Sequence, residues 1–319
     1  MATPFPRNTG IPLDLGWVND TYVNPSATQR RAATMGKRRS VKKEWQAAWL
    51  LKAISCIDLT TLSGDDTPGN VRRLCAKARQ PLRLDIVEAL GVEDLHITTG
   101  AVCVYHQRIG DALAALEGSG VPVAAVSTGF PAGLSPFKQR IAEIHASVAA
   151  GAQEIDTVIS REYVLRGDWQ ALYNEVCEMR QAVGDAHLKV ILATGELGPI
   201  WNVAKASKVA MMAGADFIKT STGKESVNAT LEVSLIMTRA IREYLAITDY
   251  KIGYKPAGGI RKAKEAIEYL ILMKEELGDD WLDPQLFRFG ASSLLSDIER
   301  QLSHHVTGRY AAKHHMPMA

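Results

Sequence analysis

Ala213-Gly-Ala-Asp-Phe-Ile-Lys-Thr-Ser-Thr-Gly-Lys224 carries a lysine to the end of a short apolar run and then turns at once to hydroxyl residues and glycine. Residues 215–218 read as a buried strand entered through a glycine turn, the kind of strand that parallel sheets cover on both faces. Lys219 therefore stands where a strand gives way to a loop. In barrels of alternating strands and helices, active-site residues gather at that rim. Lys251-Ile-Gly-Tyr-Lys-Pro-Ala-Gly-Gly-Ile-Arg261 repeats the pattern, with Lys255 ending a second short apolar run and a glycine pair behind it.

Working outward from these two runs, short apolar segments alternate with stretches of helical periodicity. Strands are expected at 54–58, 97–105, 121–127, 154–159, 188–193, 215–219, 251–255 and 286–289. Helices are expected at 66–77, 109–116, 135–150, 169–183, 200–213 and 291–301, the first capped by Asp66 or Thr67 with Pro68 in its opening turn. Eight strand-helix units with short loops indicate a single α/β domain, a (β/α)8 TIM barrel. An open doubly wound sheet is the alternative, but the first strand is not followed by G-x-G-x-x-G. Residues 1–40 hold four of the 13 prolines (Pro4, Pro6, Pro12, Pro25) and little periodicity, so they read as an irregular arm. From Val41 the apolar residues Trp45, Ala48, Trp49 and Ala53 take helical spacing, giving the barrel of residues 41–319 a helical extension that plugs or flanks its closed end.

Composition excludes several classes. The chain of 319 residues is 46% hydrophobic and 23% charged with a net charge of +2, so no strong field toward nucleic acid or membrane is implied. The basic cluster Lys37-Arg-Arg39 with Lys42 and Lys43 reads as a solvated helix start. Cys56, Cys75, Cys103 and Cys177 form no C-x-x-C pair, which argues against a zinc site or a disulfide framework and suits a reducing compartment. No apolar stretch approaches the roughly 18 residues of a membrane span, and the opening residues lack a signal core, so a cytosolic protein is expected. His304-His305 and His314-His315 read as a solvated helix end and tail, with no metal expected.

The two rim lysines carry the chemistry. A lysine amine is almost wholly protonated at neutral pH, its ordinary pKa being about 10.4. A second ammonium nearby and partial burial both disfavour that charge, which frees one amine to attack a carbonyl. The competing view is a pair of surface lysines snorkelling from strand ends. In Glu154-Ile-Asp156, alternation puts both carboxylates on one side, where one beside two lysines would stay ionised and relay protons through a water. A structural salt bridge is the plain alternative. Glycines and helix N-termini suit an anion, so Gly258, Gly259, Ser292 and Ser293, after the last two strands, form a candidate phosphate clamp. Thr222, Gly223 and Lys224 can add donors and charge, and Arg261 could also reach the anion. Gly223-Lys-Glu225 lacks the upstream glycine and following hydroxyl of a P-loop.

Phe217-Ile-Lys-Thr-Ser-Thr-Gly-Lys224 and Lys255-Pro-Ala-Gly-Gly-Ile-Arg261 resemble the two signature stretches of the deoxyribose-phosphate aldolase family. Ile57-Asp-Leu-Thr-Thr-Leu62, Ala101-Val-Cys-Val-Tyr105, Gly129-Phe-Pro-Ala-Gly133, Glu154-Ile-Asp156 and Phe289-Gly-Ala-Ser-Ser293 are similar to further family motifs and fall in the family's order. The resemblance runs from about Lys42 to about Arg309, and the amino-terminal extension is similar to that of animal members. It implies a class I aldolase that reversibly cleaves 2-deoxy-D-ribose 5-phosphate to glyceraldehyde 3-phosphate and acetaldehyde through a lysine Schiff base, without a cofactor, in deoxyribonucleoside catabolism. It also implies Lys219 as the nucleophile, Lys255 as its perturbing partner and Asp156 as acid and base. Asp58, Thr60 and Cys103 would lie in or beside the substrate pocket, although nothing in the chain lowers the Cys103 thiol pKa. A homodimer is possible by the same analogy. Bacterial members end in a tyrosine on a flexible tail; here the nearest, Tyr310, is set back from the end and takes over no such role. A transaldolase acting on ketoses, or a non-catalytic barrel, are the other classes in view.

Overall fold

The computed structural model describes residues 6–316. Eight parallel strands, β1 (Ile57–Thr60), β2 (Ala101–Tyr105), β3 (Val123–Ser127), β4 (Glu154–Val158), β5 (His187–Ile191), β6 (Phe217–Lys219), β7 (Gly253–Lys255) and β8 (Phe289–Ala291), follow one another around a barrel. Tyr254 pairs with Phe287 and Ala257 with Gly290, which closes the ring between β7 and β8. The sheet is buried on both sides, and the helices between successive strands cover its outer face with a continuous apolar core.

Local chemistry sets several helix starts. Thr67 caps Pro68–Arg79 by accepting from Asn70 N–H, Asp168 caps Trp169–Val183 through Ala171 N–H, and Thr230 caps Leu231–Thr248 through Val233 N–H. Helices Leu84–Leu90, Leu231–Thr248 and Ala263–Glu276 join those expected from periodicity. The first strand begins later than expected, at Ile57, because helix Lys43–Ser55 runs on through residues 54 and 55. That helix lies against Ala263–Glu276 and Ser293–Thr307, flanking the barrel.

The arm, expected to be irregular, carries helices Leu15–Asn19 and Pro25–Ala33, capped by Asp14 and Asn24. Two caps and a proline in the first turn of the second helix outweigh the weak periodicity. Pro4 and the final residues 317–319 lie outside the described residues. The arm is anchored at Asn8, which is 2% exposed: its N–H donates to Asp216 Oδ1, its amide to the carbonyls of Met211 and Ala215, and its Oδ1 accepts from Tyr244 Oη. Asp216 immediately precedes β6, so Asn8 fastens the arm near the strand-start end of the barrel, opposite the rim that carries Lys219, and the arm then runs over the outer helices Ile200–Met212, Leu231–Thr248 and Ala263–Glu276.

Register decides what fills the interior. Ile191, Lys219 and Lys255 are successive partners across β5, β6 and β7, so the two lysines are direct neighbours pointing the same way. One step lower, Lys189, Phe217 and Gly253 are partners. A Cβ on Gly253 would lie 2.4 Å from the Phe217 ring, so the glycine leaves room for that ring inside the barrel.

Candidate active site

Within the barrel, four buried cations, Lys189, Lys219, Lys255 and Arg288, are ion-paired with three buried carboxylates, Asp58, Glu154 and Asp156. Asp156 Oδ2 accepts from Lys219 Nζ and from Lys255 Nζ, each at 2.7 Å, and its Oδ1 accepts from Lys189 Nζ at 3.2 Å. Lys255 also donates to Asp58 Oδ2. Arg288, the residue before β8, bonds Asp58 and reaches Glu154 at 2.9 Å, and Lys189 closes the network onto Glu154. Alternation along β4 does put Glu154 and Asp156 on the same, inward side.

The charges do not balance, and the imbalance falls on one residue. Lys219 touches a single carboxylate, whereas Lys255 touches two. Burial pushes the Lys219 amine below its ordinary value; Asp156 pulls it back, and the positive charge of Lys255 reinforces the lowering. Burial also disfavours charge on Lys255 and Lys189, but Asp156 with Asp58, and Asp156 with Glu154, outweigh it and hold both above the ordinary lysine value. Arg288 is raised likewise once Asp58 and Glu154 overcome its burial. For Asp156, burial opposes ionisation, yet Lys189, Lys219 and Lys255 hold the carboxyl well below the usual carboxylate range. Of the four cations, Lys219 alone is moved toward the neutral amine that attacks a carbonyl.

Above this network lies an open cavity of about 290 Å3 whose lining includes Lys219, Lys224, Gly258, Gly259, Ser292 and Ser293. Thr60, Thr222, Gly223 and Arg261 also border it. Gly258 and Gly259 take φ of +79° and +86°, and a Cβ on Gly258 would lie 2.6 Å from the side chain of Asn228, so a side chain there is excluded twice over. Ser292 precedes the fifteen-residue helix Ser293–Thr307 and makes no side-chain cap, leaving the first N–H groups of that helix for an anion. The β6 loop is arranged differently. The N–H groups of Thr222 and Gly223 and the Thr222 hydroxyl all donate to the Glu225 carboxylate, so Lys224 is the charged residue that this loop adds to the cavity lining.

Asp58, Asp156 and Lys255 lie beneath the cavity. Cys103 is also buried, in an apolar wall with Ala124, Val126, Phe130, Val158 and Ile191, and burial raises its thiol pKa. Lys189 and Arg288 were not singled out from the sequence. Their signal is a basic residue at an inward position of an otherwise apolar strand, in Leu188-Lys-Val190 and Phe287-Arg-Phe289. Among the described residues no three His, Cys, Asp or Glu side chains are grouped to hold a metal ion, and no helix is long and apolar enough to cross a membrane.

Residues 52–298 match the model of the DeoC/LacD family aldolases. The chain is similar to the deoxyribose-phosphate aldolase of Mus musculus, with 62% identity over 312 residues, 97% of this chain and 98% of that protein. Its similarity to the Homo sapiens deoxyribose-phosphate aldolase is 60% over 315 residues, covering 98% and 99%. A solved deoxyribose phosphate aldolase from Aeropyrum pernix, described as a tetramer, shares the fold with a TM-score of 0.62 at 24% identity, over 86% of this chain and 98% of that one.

Proposed function

Since the chain belongs to the DeoC/LacD family of aldolases, we propose that it reversibly cleaves 2-deoxy-D-ribose 5-phosphate to D-glyceraldehyde 3-phosphate and acetaldehyde, acting in deoxyribonucleoside catabolism in the cytosol. The observation that carries this reading is the lowering of the Lys219 amine beside Asp156 and Lys255, at the edge of a cavity rimmed by glycines, serines and Lys224.

Lys219 Nζ attacks C1 of the open-chain aldehyde, and loss of water leaves a protonated imine. That cation is the electron sink. Asp156, bonded to both lysines, takes the C3 hydroxyl proton through a water as the C2–C3 bond breaks; the bonding electrons move to C2–C1 and neutralise the iminium as an enamine. Glyceraldehyde 3-phosphate departs. The enamine is protonated at C2, and water hydrolyses the imine to release acetaldehyde and the free amine. Lys255, held charged by Asp58 and Asp156, keeps Asp156 ionised and supplies the like charge that favours neutral Lys219. Gly258, Gly259, Ser292, Ser293 and Lys224 hold the phosphate and so fix the reacting bond over Lys219, while Thr60 and Asp58 lie toward the sugar hydroxyls.

Borohydride reduction in the presence of 2-deoxyribose 5-phosphate, followed by peptide mapping, tests the assignment. The expected adduct is on Lys219. Active protein with the adduct on Lys255, or with none, would reverse the lysine roles or remove the Schiff-base class.

A further inference from the structure

Glu225 is 2% exposed in its side chain, yet it touches none of the groups proposed to react. Its Oε1 accepts from Thr222 N–H at 3.0 Å; its Oε2 accepts from the same N–H at 3.1 Å, from the Thr222 hydroxyl at 2.8 Å and from Gly223 N–H at 3.1 Å. Successive backbone N–H groups gathered on one carboxylate form the kind of concavity that elsewhere holds a bound anion. Here the protein supplies the anion itself. The Glu225 carbonyl in turn accepts from Asn228 Nδ2 at 2.8 Å, and the Asn228 side chain fills the space beside Gly258, so the β6 and β7 loops are braced against each other at this point.

A second charge fastens the arrangement to the rest of the rim. Arg161, the first residue of the short helix Arg161–Arg166 after β4, donates to the carbonyls of Ala132 and Pro131 at 2.6 and 3.1 Å, pairs with Glu196 Oε2 at 2.6 Å, and approaches Glu225 Oε1 at 3.7 Å. One guanidinium thereby ties together the loops after β3, β4, β5 and β6. Between the carboxylate and this tie, residues 222 and 223 have their donors turned aside, and the next residue, Lys224, borders the cavity.

We propose that Glu225, secured by Arg161, is a positioning residue that sets the β6 loop so that Lys224 meets the substrate phosphate, and that it thereby determines selectivity for phosphorylated over unphosphorylated 2-deoxy aldoses. The inference rests on the reaction proposed above. Neutralising the carboxylate would put an amide that must choose between donor and acceptor against three donors, and the loop would lose the contacts that hold Lys224 in place. Binding energy from a phosphate remote from the reacting bond is expressed in the transition state, so its loss falls on the phosphorylated substrate.

The test compares 2-deoxyribose 5-phosphate with 2-deoxyribose in wild type, Glu225→Gln, Lys224→Met and the double variant. Wild type that cleaves neither sugar would refute the reaction itself, separately from the role of Glu225. Glu225→Gln is expected to lower kcat/KM for the phosphorylated sugar by about 10- to 100-fold, the range for losing charge-assisted hydrogen bonds. Activity on 2-deoxyribose, and borohydride trapping of acetaldehyde on Lys219, should stay near wild type. If Glu225 acts through Lys224, the double variant loses no more than Lys224→Met alone. Equal losses on both sugars, no loss on either, or additive losses in the double variant would each overturn the proposal. Should Glu225→Gln fail to fold, Arg161→Gln carries the same comparison, with a selective loss expected and a uniform one overturning.

Discussion

Two lysines that are neighbours in register carry opposite demands, and the number of carboxylates each touches separates them. Lys219 has Asp156; Lys255 has Asp156 and Asp58. Burial acts on both, so it cannot distinguish them; the extra carboxylate does. Replacing Lys255 with Met removes a positive charge that lowers the Lys219 pKa while leaving both carboxylates, so that pKa must rise. The acid limb of kcat/KM, which reports the free enzyme's essential amine, should move to higher pH, with activity at pH 7 reduced by about 10²- to 10⁴-fold and partly recovered on the alkaline side. A limb that stays put or moves to lower pH would show that Lys255 does not tune Lys219 by its charge.

At the scale of single elements, β8 contributes less through its three residues than through the arginine before it. Arg288 joins Asp58 on β1 to Glu154 on β4 across the barrel; against burial, Arg288 with Lys255 and Lys189 keeps the Asp58 carboxyl below its ordinary value, and Arg288 with Lys189 does the same for Glu154. Their stabilising effect is complete above their unfolded pKa values of about 4 and is lost as pH falls through the depressed folded values. Arg288→Met should destabilise the fold by about 3–5 kcal/mol, as removing one partner of a buried ion pair does. It should also raise the pH at which acid unfolding occurs, measured by circular dichroism; an unchanged acid midpoint would sink the idea. The sequence made the strand ends Lys219 and Lys255 legible because each closes an apolar run ahead of glycines. Lys189 and Arg288 were not, because a lone basic residue in a short apolar strand has no partner in its own neighbourhood; Glu154 and Asp58 lie 35 and 230 residues away, respectively. Likewise the β6 loop reads as a set of free donors until the structure shows Glu225, three residues beyond Thr222, taking them. The helices of the arm were hidden for another reason, since caps and a first-turn proline stabilise short helices without producing periodicity.

On the scale of the whole molecule, the arm and the barrel meet along several contacts, among them Ile11 N–H on the Met212 carbonyl, Trp17 on Tyr244 and Arg31 on Glu276, and the most buried polar one is the Asn8 amide. Asn8→Ala would remove the donor to the Ala215 carbonyl and the acceptor of the Tyr244 hydroxyl and the Gly10 N–H, while the Met211 carbonyl keeps its bond from Gly214 N–H, at a cost of about 1–3 kcal/mol for buried polar groups left unsatisfied. A lower denaturation midpoint with kcat unchanged at 25 °C is expected, because these contacts lie at the strand-start end, away from Lys219. A loss of kcat without a change in midpoint would mean that the arm communicates with the rim. The same anchor has a consequence for synthesis. Asn8 is made 208 residues before Asp216 and 236 residues before Tyr244. During translation the Asn8 side chain cannot complete these bonds until helix Leu231–Thr248 has left the ribosome, so the segment made first docks in full only after β6 and the helix that follows it have been built.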